Sequence, residues 1–222
     1  MKPQVQRQTD ILAQELVHTV MRGDEDSALR ILERLIASGL DGRTIFLDVF
    51  QPALYQMGDL WEAGKANVAQ EHFAASVVRW LMGALWDLFT PSRIRMEYGP
   101  LLCACVPNER HDIGIAMVSE FLRQDGWYVI NLGADTPSEA IATMAVQSQS
   151  RVCLLSASSK ERLNDLEATI DELKAATPNT PILVGGLAFR REPSLAADVG
   201  ASSTASDADG AVNQVRTLLA RQ

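Results

Sequence analysis

His111 is the side chain in this sequence with the strongest claim to metal chemistry. It stands in the segment Pro107-Asn108-Glu109-Arg110-His111-Asp112-Ile113-Gly114, with a carboxylate two residues before it and a glycine three residues after it. An imidazole so placed has two physical roles open to it: a loop residue satisfied by its neighbours, or a metal ligand whose second nitrogen is held by a carboxylate. Glu109 stands where that carboxylate would be, fixing the ring tautomer and raising the basicity of the ligating nitrogen. One histidine does not hold a bare metal ion tightly, whereas a metal already caged by a macrocycle needs only an axial ligand. Two further elements bear on the choice. Ser156-Ala157-Ser158 ends one apolar run, and Gly185-Gly186 ends another, its missing side chains letting a second group approach the backbone. If the fold brings all three together, a histidine, a serine and bare backbone line one groove, which favours a tetrapyrrole-type cofactor.

The elements that must position these residues fall into two halves. From about Val5 to Phe89 apolar residues recur at three and four, as in Ile11, Leu12, Leu16, Val20 and Leu29, Leu32, Leu35, Ile36. Breaks at Gly23-Asp24, Gly39 to Gly42 and Gly58 to Gly64 divide this region into four helices, a small bundle. After a connector at Thr90-Pro91-Ser92 the pattern changes to short apolar runs: Leu101 to Val106, Trp127 to Leu132, Val152 to Ala157, Ile182 to Val184 and a weak fifth around Ser202 to Ser206. Helices fit between and after them at Ile113 to Gln124, Ser138 to Gln147, Arg162 to Ala175, Glu192 to Val199 and Ala208 to Leu219. The expected organisation is a helical-bundle cap over residues 1–92, then an α/β domain over 93–222. That domain is flavodoxin-like (Rossmann-like), a five-stranded parallel sheet of order 2-1-3-4-5. Such a sheet binds ligands beyond the carboxyl ends of its strands, and in this order the loops after the first, third and fourth strands are neighbours. Those loops carry His111, Ser156-x-Ser158 and Gly185-Gly186.

Composition narrows the function classes. A net charge of −8 repels phosphate backbones and argues against direct nucleic-acid binding. No window is long and apolar enough to span a bilayer, and the polar start MKPQVQRQTD lacks the core of a signal peptide, so a cytoplasmic protein is expected. Cys103, Cys105 and Cys153 lie in strand-like apolar runs, where buried, reduced thiols are expected rather than a disulfide frame or a zinc cluster.

The three elements together resemble the cobalamin-binding domain shared by methionine synthase, corrinoid methyl carriers and cobalamin-dependent photoreceptors, whose pattern is DxHxxG, then SxL, then GG. Here it reads Glu109-x-His111-x-x-Gly114, Ser156-x-Ser158 and Gly185-Gly186, with 41 residues between the first two and 26 between the last two. The resemblance implies that the cofactor's dimethylbenzimidazole leaves cobalt and enters the groove while His111 takes its place. It also implies that Ser156 hydrogen-bonds the buried tail, that Gly114, Gly185 and Gly186 make room for it, and that Glu109 and Asp112 belong to the same site. Two residues depart from the pattern: Glu109 stands for aspartate and Ser158 for leucine. The ExHxxG form resembles the light-responsive transcriptional regulators of the CarH and LitR type.

The helical half carries Trp61, nine residues, then Glu71-His72, which resembles the Wx9EH motif in the bundle of those photoreceptors. By that likeness Trp61, Glu71 and His72 cap the upper face of the cofactor, near a 5′-deoxyadenosyl ligand. From the residues alone, Trp61 reads equally as a core aromatic and Glu71-His72 as a solvated helix pair. Some DNA-binding members carry histidine directly after the tryptophan and use it as a second cobalt ligand after photolysis; here the residue is Glu62. No MerR-like helix-turn-helix is expected ahead of the bundle, because the residues before Trp61 are needed for bundle helices. The resemblance therefore implies a light-sensing cobalamin-binding regulator that is not itself an enzyme. Adenosylcobalamin is the expected cofactor, with methylcobalamin and hydroxocobalamin as alternatives. Output is expected through a regulatory protein partner such as a transcription factor, or through a homo-oligomer. The competing reading is a corrinoid methyl carrier, and a third is a receiver-like interaction domain without cofactor.

Overall fold

The structure is a computed structural model that describes residues 3–85 and 99–220. It divides into two compact units, Met1–Phe89 and Thr90–Gln222. The connector Thr90-Pro91-Ser92 and the boundary placed near it lie outside the described residues.

The first unit is helical. Helix α1 spans Pro3–Met21 and α2 Glu25–Ala37; then α3 (Gly42–Ile45), a π-helical turn (Phe46–Phe50) and α4 (Gln51–Glu62) run on as one rod, followed by α5 (Val68–Ala84). Asp24 and Asp41 cap α2 and α3, each accepting a backbone N–H at 2.9 Å. The breaks at Gly23 and Gly39 coincide with left-handed turns, φ +69° and +68°. Gly58 does not break the chain: it lies inside α4, and the turn comes at Gly64, φ +67°. Pro52 follows the π turn, where its absent N–H and crowded ring are accommodated by the widened ladder. Leu12, Leu16, Val20, Leu32 and Leu35 are buried, whereas Ile11, Leu29 and Ile36 lie on the solvent side. The core also holds Phe46 and Phe50, their rings 5.3 Å apart.

The second unit is a five-stranded parallel sheet of order β2-β1-β3-β4-β5. The strands are β1 (Leu101–Cys105), β2 (Val129–Asn131), β3 (Val152–Ser156), β4 (Ile182–Gly185) and β5 (Ser203–Thr204). The helices are α6 (Ile113–Gln124), α7 (Ser138–Ser148), α8 (Leu163–Ala176), α9 (Leu187–Arg191), α10 (Leu195–Asp198) and α11 (Ala208–Leu219). One face of the sheet packs Leu102, Ala104, Cys153, Leu155 and Val184 against Ile141, Leu166 and Ile170 of α7 and α8. The opposite face meets α6 and α11. Both faces are covered, which is why the strands read as continuous apolar runs. The single helix expected over 192–199 is replaced by α9 and α10, split at Glu192-Pro193. Glu192 is extended (φ −145°, ψ 83°), as a residue before proline must be.

Candidate cofactor site

Cys105, Ser156 and Gly185 are paired in register across β1, β3 and β4. The loops that follow these strands therefore leave the sheet side by side, and the three sequence elements share one edge. The loop after β1 is built by a tight turn, Glu109 N–H donating to Val106 O at 3.1 Å. Asn108 takes the left-handed conformation there (φ +64°), which asparagine tolerates better than most residues. Its N–H donates to Asp135 Oδ1 at 2.6 Å, and Asp135 N–H donates back to Glu109 O at 2.8 Å. The Asn108 amide reaches Asp165 on α8 at 3.2 Å. Beneath the loop the Cys105 thiol donates to His111 O at 3.8 Å. The pattern of strands and helices did not reveal Asn108, Asp135 or Cys105; the one local signal was an asparagine at a strand-to-helix turn.

Glu109 is the hub. It is 1% exposed, and its carboxylate accepts four hydrogen bonds. Oε1 takes His111 N–H at 2.8 Å and His111 Nδ1–H at 2.7 Å. Oε2 takes Ser158 N–H and Ser158 Oγ–H, both at 2.6 Å. Burial alone raises the pKa of this carboxyl, but the donors from His111 and Ser158 outweigh it and hold it at about 2. An ionised carboxylate only accepts, so His111 Nδ1 is the donor between the two side chains, and in the neutral ring Nε2 is the nitrogen that carries the lone pair. The His111 side chain is 69% exposed while its partner is 2% exposed, so a fixed imidazole projects from a buried anchor. This is the geometry of a histidine prepared to ligate a metal through Nε2. Among the described residues no group of three or more His, Cys, Asp or Glu is placed to hold a metal ion.

The glycines divide into two kinds. A Cβ at Gly114, in the first turn of α6, would meet nothing within 4 Å, and one at Gly185 would meet only Ala205 O at 3.7 Å. Neither glycine is closed off by tight packing, and Ser156, paired with Gly185 across the sheet, is buried, so this edge could accept the tail of a corrinoid held base-off. Gly186 is different. It has φ +109°, and a Cβ there would lie 2.3 Å from Ala157 O, so its bare backbone lets β3 and β4 close on each other. Asp112 caps α6 without a side-chain cap bond. Ser158 faces the Glu109 carboxylate rather than standing as a replacement for an apolar contact.

In the helical unit Trp61 lies in the last turn of α4 and is 50% exposed, so it is not a core aromatic. Glu71 and His72 lie in the first two turns of α5, whose start is fixed by a capping box between Asn67 and Gln70. Only residues 63–67 separate the two helices, which puts all three side chains at one end of the bundle. His72 Nδ1 and Glu71 Oε2 are 2.7 Å apart, with His72 74% exposed.

A family model described as a B12 binding domain matches residues 99–213, and a second B12 binding domain model matches residues 12–85. The chain is 31% identical over 168 residues to the HTH-type transcriptional repressor CarH of Myxococcus xanthus, covering 75% of this chain and 54% of that protein. With the repressor CarA of the same organism the identity is 27%, covering 96% of this chain and 72% of that protein. With dimethylamine corrinoid protein 1 of Methanosarcina acetivorans it is 28%, covering 94% and 98%. The solved Methanosarcina barkeri monomethylamine corrinoid protein superposes with a TM-score of 0.79 at 19% identity, covering 96% of this chain and 97% of that one, a likeness of fold. The chain thus spans about half the length of CarH and nearly the whole length of the corrinoid proteins.

Proposed function

The chain belongs to the family of B12 binding domains, and from that premise we propose that this cobalamin-binding protein is a light-sensing regulator. In this reading His111 would ligate the cobalt through Nε2, its ring held through Nδ1 by Glu109. Ser156, Asp112, Gly114 and Gly185 would build the site for the tail, while Gly186 lets β3 and β4 close beneath it and Ser158 holds Glu109. Trp61, Glu71 and His72 would cap the bound cofactor. Bound adenosylcobalamin would supply a light-sensitive cobalt–carbon bond; the chain holds the ring, excludes water and registers the loss of the upper ligand.

The observation that carries cobalamin ligation is the Glu109–His111 contact at 2.7 Å on a projecting imidazole. The photoreceptor reading is supported by the half-exposed Trp61 at the same end of the bundle as Glu71-His72, in the Wx9EH arrangement, and by the likeness to CarH and CarA. A signal requires two conformations with different affinity for the intact cofactor, because equal affinity shifts nothing. The output is a change in homo-oligomer or in a surface for a regulatory protein partner such as a transcription factor.

Protein loaded with adenosylcobalamin in the dark is expected to show a base-off/His-on absorption spectrum, and to change its elution volume on size exclusion after green light. Identical elution and partner capture in dark and light would end the light-sensing reading. In that event the second reading stands: a corrinoid methyl carrier, favoured by the full-length match to the dimethylamine corrinoid protein. Its test is methyl transfer from methylcobalamin-loaded protein to a thiol acceptor.

A further inference from the structure

Glu109 and Ser158 are the two places where the site departs from the DxHxxG and SxL pattern, and in the structure they touch. We infer that these two departures are one compensated change: Ser158 is the positioning residue that holds the longer carboxylate of Glu109, and through it sets the ring of His111. The inference rests on the reading of His111 as the lower ligand.

The argument is one of reach and satisfaction. Glu109 begins in the loop after β1, yet its carboxylate lies between that loop and the one after β3, bonding His111 with Oε1 and Ser158 with Oε2. Glutamate is longer than aspartate by one carbon–carbon bond, about 1.5 Å. That extra bond carries Oε2 to Ser158. A carboxylate 1% exposed has no water to complete its shell, so each acceptor site must be filled by protein. Ser158 fills two of the four, one from its backbone and one from its hydroxyl. Leucine would keep the backbone donor and set an apolar branch against a buried anion. The hydroxyl has a second partner: Ser158 Oγ lies 3.1 Å from His111 Nδ1. Having given its proton to Oε2, the oxygen accepts a share of Nδ1–H, so serine, glutamate and histidine close a three-membered ring of contacts. Ser158 therefore fixes both the oxygen that orients the imidazole and the plane in which the imidazole lies.

A double-mutant cycle tests this. Ser158→Leu is expected to weaken hydroxocobalamin binding about tenfold and to lower the His-on fraction at saturating cofactor, seen as loss of nitrogen hyperfine splitting in the Co(II) resonance spectrum. Ser158→Thr, which keeps a hydroxyl and the backbone donor, restores both. Glu109→Asp alone is also expected to weaken binding. The double variant, which restores the family's pair, is expected to bind about tenfold more tightly than the product of the two single effects. Nitrogen chemical shifts of His111 in cofactor-free protein give a second readout: the Nδ1–H form dominates in the wild type and loses its dominance in Ser158→Leu. Additive single effects, or a Ser158→Leu variant with wild-type affinity and spectrum, overturn the pairing. If wild-type protein binds cobalamin without nitrogen hyperfine splitting, the His111 reading itself falls and takes the pairing with it.

Discussion

A carboxylate sealed from water normally gains a proton, and Glu109 keeps its charge because four donors surround it. Replacing it with glutamine keeps the volume but turns an amide N–H₂ toward N–H groups. Glu109→Gln is expected to destabilise cofactor-free protein by about 1–3 kcal/mol in urea unfolding. Cobalamin affinity in absorption titration should fall about 10- to 100-fold, because Nδ1 loses its acceptor. The glycines separate ligand space from protein space at the same scale. Gly114→Ala places a methyl in open space within a helix, so cofactor-free stability should hold or rise by up to about 1 kcal/mol while cobalamin binding weakens. Gly186→Ala forces a methyl onto Ala157 O in a conformation alanine resists, and should cost about 2–4 kcal/mol whether or not cofactor is present. Equal losses of stability in the two variants would show that this division is mistaken. Glu109, His111 and the glycines were visible in the sequence because motif spacing marks them. The partnership of Ser158 with Glu109 was not, since it joins residues 49 apart through side-chain geometry that no periodicity records.

At the level of elements, alternating apolar runs and amphipathic stretches gave away β1, β3, α6 and α11 almost to the residue, because sheets covered on both faces leave long apolar runs. What escaped was local backbone chemistry. Gly58 looked like a break but costs only about 1 kcal/mol inside a helix, which packing around Met57 and Phe50 overrides. The π turn at Phe46–Phe50 has no sequence period of its own. The capping box at Asn67 ties an element to function, since it sets where Glu71 and His72 emerge. Asn67→Ala should lower stability by about 1 kcal/mol, and Asn67→Ser should restore most of it, as read from thermal unfolding. The strands carry a pH prediction as well. Burial pushes the thiols of Cys103, Cys105 and Cys153 from their ordinary 9.0 up to about 12. A thiol kept neutral in the folded chain supports folding fully below pH 9 and progressively less as pH rises toward 12. Urea midpoints should therefore fall across that alkaline window, and iodoacetamide at pH 8 should label none of the three cysteines until the chain is unfolded.

For the whole molecule, each of the two compact units has its own core: Leu16, Leu35 and Phe50 in one, Leu102, Leu155 and Ile170 in the other. A ligand touching only the α/β unit protects only that unit, whereas a ligand also capped by Trp61, Glu71 and His72 links the two, because anything that binds the folded form stabilises all it touches. Cofactor at one hundred times its dissociation constant adds about 2.7 kcal/mol to whatever it touches, enough to slow amide exchange about a hundredfold. Hydrogen exchange with adenosylcobalamin in the dark should therefore show new protection around residues 105–114, 156–158 and 183–186, and also around 61–72. In Trp61→Ala the protection at 61–72 should be lost while that at 105–114 remains, since Glu109 holds His111 through hydrogen bonds made within the α/β unit. On the light-sensing reading, green light should act as the tryptophan substitution does, removing the protection at 61–72 first. Protection confined to the α/β unit in the wild type would remove Trp61, Glu71 and His72 from the cofactor's upper face and leave a cobalamin domain joined to a bundle with other work.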